Sequence, residues 1–164
     1  MNTRILLPLL LGVLLTSALC IALCRVCWGR RAIPYETPDF RDRAGFRIIR
    51  LPDRPTIHYG KIRLLDRQVG EVECCIEPGY QGLLRVTAGG GDLFLEDLSI
   101  RYDARTVIQQ DGIRVLLQQT PAGPALATWS RSGFDYALYF SRSEMGLAGA
   151  LSAAFAQETL AVFG

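Results

Sequence analysis

Ile113-Arg-Val-Leu-Leu-Gln-Gln-Thr-Pro-Ala-Gly-Pro-Ala-Leu-Ala-Thr-Trp-Ser-Arg-Ser-Gly-Phe-Asp-Tyr-Ala-Leu-Tyr-Phe140 is the stretch that decides the fold. It holds three runs of period two. Ile113, Val115 and Leu117 share one face, as do Ala125, Ala127 and Trp129, and then Phe134, Tyr136, Leu138 and Phe140. Strict alternation of this kind marks half-buried strands. Pro121-Ala-Gly-Pro124 turns the chain between the first two runs, and Ser132-Gly133 is a two-residue hairpin turn between the last two. The reading is a three-stranded antiparallel meander with one apolar face.

An apolar sheet face needs a cover, and the residues downstream supply one. Ser143 and Glu144 suit a helix start. Met145, Leu147, Ala148, Leu151, Ala154 and Phe155 then recur at helical spacing. Gly146 and Gly149 weaken this helix by up to ~1 kcal/mol each. Upstream, short β-type runs cover 46–51, 56–65, 68–76, 83–87, 98–102 and 106–110, with breaks at Asp66-Arg67, Pro78-Gly79 and Gly89-Gly-Gly91. The expected architecture is α+β over 45–164: a curved antiparallel sheet with the C-terminal helix packed on it. Residues 29–44, with Pro34 and Pro38 among alternating charges, read as a linker.

Residues 1–28 read as a transmembrane or signal-anchor helix. No charge lies between Ile5 and Leu23, and twelve residues of that run are Leu, Ile or Val. At ~0.3 to 0.6 kcal/mol each they favour insertion by roughly 4 to 7 kcal/mol. Ile5, Leu10, Leu15, Leu19 and Leu23 would be the anchor, and membrane lipid the partner of this segment. A cleaved signal peptide is the alternative, with Thr16, Ser17 and Ala18 as its small residues, but the apolar run continues past Ala18 to Leu23 without a polar region. The expected location is the cell membrane, single-pass, with the C-terminal domain on the extracytoplasmic side. Arg25, Arg30 and Arg31 argue for the opposite orientation.

The composition divides at the same place. Residues 1–31 carry four arginines and no acid, whereas the remainder carries 14 basic and 16 acidic side chains. No basic stripe follows a phosphate backbone, which argues against nucleic acid. The five cysteines fall into two groups. Cys20, Cys24 and Cys27 have the spacing of an iron–sulfur triad, yet they sit beside an apolar run with no strand–helix repeat behind it. Packing is the simpler role. Cys74 and Cys75 are neighbours on a strand and point to opposite faces. They lack the Cys/His companions of a zinc site.

A catalytic constellation is not legible. His58 is the only histidine. Glu71 and Glu73 share a strand face and read as a solvated pair. Gly89-Gly-Gly91-Asp92 is too short for a phosphate loop. Tyr80, Tyr102, Trp129, Tyr136 and Tyr139 are the candidate surface for a protein or apolar ligand. These residues point to a non-catalytic binding or interaction module, with no cofactor and no enzyme activity. Two alternatives stay open. One is a carrier or chaperone for an apolar ligand held between sheet and helix. The other is a cysteine-dependent enzyme using Cys74 or Cys75.

The ending, with Trp129, the Gly133 turn, Tyr136 and a helix of small and apolar residues over about 144–155, resembles a bacterial domain family of unknown function, number 4367 among such domains. The likeness covers about 35 of the 164 residues. It implies a membrane-anchored envelope protein, related to anti-sigma regulators or lipoprotein-carrier-like chains. The family has no established catalytic residues, so none carry over.

Overall fold

A computed structural model describes residues 32–77, 79–94, 98, 100–142 and 145–164. The meander forms as the alternation predicts. β7 (Ile113–Gln119), β8 (Ala125–Arg131) and β9 (Phe134–Phe140) pair antiparallel, with Leu117 opposite Ala127 and Trp129 opposite Tyr136. Ser132 and Gly133 both take left-handed backbone angles, the geometry of a two-residue turn that matches strand twist.

The meander is part of a larger sheet. β1 (Ala32–Tyr35), β3 (Ile57–Leu65), β4 (Val69–Ile76), β5 (Tyr80–Thr87) and β6 (Ala104–Gln110) complete an eight-stranded antiparallel sheet in the order β1-β3-β4-β5-β9-β8-β7-β6. A separate ribbon pairs β2 (Phe46–Arg50) with β10 (Leu160–Phe163), after the short helix α1 (Arg41–Ala44).

One sheet face, the inner face, is covered by that ribbon and by α2 (Met145–Glu158). Phe155, Ala148, Phe46, Phe134 and Tyr136 are fully or almost fully buried there. Trp129 and Tyr136 stack with centroids 5.2 Å apart. The Ala161 N–H donates to Tyr136 Oη at 3.2 Å and ties the ribbon to the sheet. Arg131 closes the open end of α2, donating to the carbonyls of Gln157 at 2.7 Å and Ala156 at 3.3 Å. Phe40 lies flat on β4 because Gly70 has no Cβ. A Cβ there would come within 2.3 Å of the Phe40 ring.

Several expectations need correction. The chain is predominantly antiparallel β with one long helix, rather than a membrane helix followed by an α+β domain. Among the described residues no helix is long and apolar enough to cross a membrane. α2 has 14 residues, about 21 Å at 1.5 Å per residue, and it carries Ser152, Gln157 and Glu158. The helix expected over 1–28, with Ile5, Leu10, Leu15, Leu19 and Leu23, lies outside the described residues. The membrane location and single-pass topology built on it are withdrawn accordingly.

The reading of 29–44 as linker fails from Ala32 onward. β1 pairs with β3, and Phe40 is fully buried. Prolines and charges disguised this stretch, since Pro34 sits on an edge strand where proline is tolerated. The strand expected over 98–102 does not form: residues 98 and 100–103 belong to no strand. β10 was too short to show any period.

Candidate functional site

The outer face of the sheet carries the chemistry. One cross-strand row runs the full width: Val107, Leu116, Thr128, Ala137, Arg85, Glu71, Arg63 and Pro34, each opposite the next. The first four residues of the row are apolar or neutral, and Arg85, Glu71 and Arg63 then stand side by side before Pro34 at the edge. Arg85 and Glu71 are each only 2% exposed.

The charged centre is fully bonded. Arg85 Nε donates to Glu71 Oε2 at 2.8 Å. Arg63 donates to Glu71 Oε1 through Nε at 3.0 Å and also pairs with Glu73 at 3.0 Å. Arg85 Nη2 lies 2.7 Å from the same Glu71 oxygen, and Nη1 donates to the carbonyls of Leu93 and Phe94, both at 3.2 Å. A buried ion pair is retained only when its other donors and acceptors are satisfied, and here the loop supplies two acceptors. Arg85 therefore fastens residues 93–94 over the middle of the sheet.

The loop buries a second apolar cluster beneath it. Leu93 and Leu98 pack with Leu65, Val69, Leu126 and Ala137, and Tyr102 and Tyr139 join at its margin. Burial pushes the Tyr102 phenol up to about 12.

Among the described residues two clefts open on this face. The larger, about 470 Å³, has the Gly91–Phe94 segment as a wall and Leu116, Thr128, Ser130 and Asp135 along its floor. Phe94 is 39% exposed at its edge. Arg114 borders it, is exposed, and makes no ion pair among the described residues. Asp135 accepts from Ser130 Oγ at 2.5 Å. The smaller cleft, about 310 Å³, is lined by Glu73, Cys75, Gln81 and Tyr139 among others. A third hollow, of about 480 Å³, lies between 37–39 and 47–49. None of the three lies between α2 and the sheet.

The expected aromatic surface is not one surface. Trp129 and Tyr136 are buried on the inner face, and Tyr80 packs half-buried against the same core. Only Tyr102 and Tyr139 reach the outer face. Glu71, read as solvated, is buried under the loop. Arg85 was missed. Its signal was a single charge inside Leu83-Leu-Arg-Val-Thr87, opposite an acid on the neighbouring strand.

The two cysteines do point to opposite faces. Cys74 is buried with its thiol pushed up to about 12, chiefly by burial. Cys75 is exposed and stands opposite His58. The His58 ring lies 3.5 Å from Glu77, with both side chains well exposed. Among the described residues no three His, Cys, Asp or Glu side chains come together as a metal site.

No protein-family model, curated protein or solved structure matches this chain, so the family likeness of the 127–155 ending rests on those residues alone.

Proposed function

We propose that this protein is a non-catalytic binding module whose ligand occupies the 470 Å³ cleft between residues 91–94 and strands β7 to β9. The observation that carries this reading is the Arg85 clamp. A buried guanidinium holds the loop over one half of the sheet, and the Leu116–Thr128 half of the same row is left open beside it.

A cleft of this volume suits a small molecule or a short segment of chain. Leu116, the Thr128 methyl and Phe94 offer an apolar bed. Arg114 and Asp135 offer polar groups at its border. The ligand is accordingly one with an apolar body and a polar end. The thiol chemistry gains less support: Cys74 is held as a thiol by its burial.

The test is a fragment titration followed by amide chemical shifts in residues 32–164, a compact unit of their own. Shifts concentrated at Phe94, Arg114, Leu116, Thr128 and Asp135 support the cleft. Shifts concentrated at Cys75, Gln81 and Tyr139 move the site to the smaller cleft and reject this reading.

A further inference from the structure

A polar row runs beside the apolar floor of the larger cleft. Leu116 and Thr128 are opposite each other, and two residues further along the same strands stand Arg114 and Ser130. Ser130 is in turn opposite Asp135. Side chains two apart on a strand share a face, and Arg114, Ser130 and Asp135 all line the cleft.

Both charges of this row lack a counter-charge. Asp135 is half-buried, and its cross-strand neighbours, Ser130 and Thr87, carry only hydroxyls. One of its oxygens accepts from Ser130 Oγ, and no arginine or lysine pairs with it among the described residues. A carboxylate that has lost part of its water without gaining a cation is costly, and a bound cation relieves it. Arg114 is exposed and stands opposite the neutral Gln109 on β6. Two strand spacings, roughly 10 Å, separate the Arg114 and Asp135 backbones, and the two side chains do not meet. Asp92, on the wall of the cleft, is already engaged: it accepts from the Phe94 N–H at 3.0 Å.

We propose that the ligand is a free α-amino acid with an apolar side chain, a reading that rests on the larger cleft being the binding site. Its ammonium group donates to Asp135. Its carboxylate accepts from the Arg114 guanidinium, which can bind both oxygens at once. Its side chain lies across the polar row onto Leu116 and the Thr128 methyl, against Phe94. The two charged groups of an α-amino acid sit on one carbon, so they fit between the opposite charges of Asp135 and Arg114, with the long Arg114 stem covering the remaining distance.

Amide shifts of the full chain, followed during titration with matched probes, test the proposal. The probes are L-leucine, 4-methylpentanoate, which lacks the ammonium, and 3-methylbutylamine, which lacks the carboxylate. L-Leucine is expected to bind at least about tenfold tighter than either, with shifts at Arg114, Leu116, Thr128 and Asp135. Arg114→Gln is expected to bind L-leucine no better than wild type binds 3-methylbutylamine, and Asp135→Asn no better than wild type binds 4-methylpentanoate, each with an unchanged melting temperature. Equal binding of the three probes overturns the proposal, as does tighter binding of leucyl-leucine, whose charges stand a residue further apart. In both cases shifts at the cleft keep it as the binding site. L-Leucine that shifts no cleft residue also overturns the proposal, and the fragment titration then judges the cleft independently.

Discussion

Arg85 and Glu71 face each other from adjacent strands at the middle of the sheet, both 2% exposed, with a 2.8 Å hydrogen bond between them. The pair organises the outer face, because Arg85 also holds the backbone of Leu93 and Phe94. Removing one partner leaves the other buried and uncompensated. Glu71→Gln is expected to lower unfolding free energy by about 3 to 5 kcal/mol in denaturant titration. The double variant Glu71→Leu/Arg85→Met is expected to recover much of that loss.

The loop depends on Arg85 more than the sheet does. Arg85→Leu combined with Glu71→Leu removes the whole buried ion pair, so that neither charge is left buried alone, and abandons the two carbonyls. Limited proteolysis within 89–92 is expected to become faster, with cleavage preceding global unfolding. Equal cleavage rates in wild type and variant would show that the Leu93 and Leu98 contacts hold the loop alone.

Arg131 joins the meander to the end of α2 by bonding carbonyls that the helix itself leaves open. Arg131→Ala is expected to cost about 1 kcal/mol, as loss of an end cap does. Phe155→Ala, in the fully buried core, is expected to cost about 3 to 5 kcal/mol. Thermal melts of the two variants check the contrast.

Stability is expected to fall at alkaline pH. The Cys74 thiol is pushed up to about 12 in the folded chain, against roughly 8.5 when unfolded. The unfolded chain therefore releases its proton first. This contribution is fully present below about pH 8.5 and is lost at about 1.4 kcal/mol per pH unit above it, up to the folded value. Tyr59 and Tyr102, both raised chiefly by burial, add to the loss above about pH 10. Melting temperature should hold from pH 7 to 8 and drop between 9 and 11. Cys74→Ala should flatten the fall below about pH 10.

The fold was legible where period and turn chemistry agreed. Phe134, Tyr136, Leu138 and Phe140 gave the inner face of β9, and Ala148, Leu151 and Phe155 gave the buried side of α2. Residues 32–44 were not legible, because Phe40 is one buried side chain among charges and prolines, and only Gly70, thirty positions away, makes room for it. The site was illegible for a related reason. Alternation in β5 predicts a wet outer face, and nothing local in Leu83-Leu-Arg-Val-Thr87 says that a loop returns to cover it. The long-range bonds from Arg85 to Leu93 and Phe94 decide that. The aromatics misled because ring size signals burial as readily as binding, and Trp129 with Tyr136 proved to be core.

The open half of the outer row is the central claim, and filling it is the direct test. Thr128→Trp places an indole on the cleft floor without touching the Arg85–Glu71 pair or the inner core. The fragment titration is then repeated on wild type and variant side by side. Loss of the shifts at Phe94, Leu116 and Asp135, with the melting temperature unchanged, is the predicted result. Binding that persists in Thr128→Trp contradicts the assignment of this cleft as the binding site.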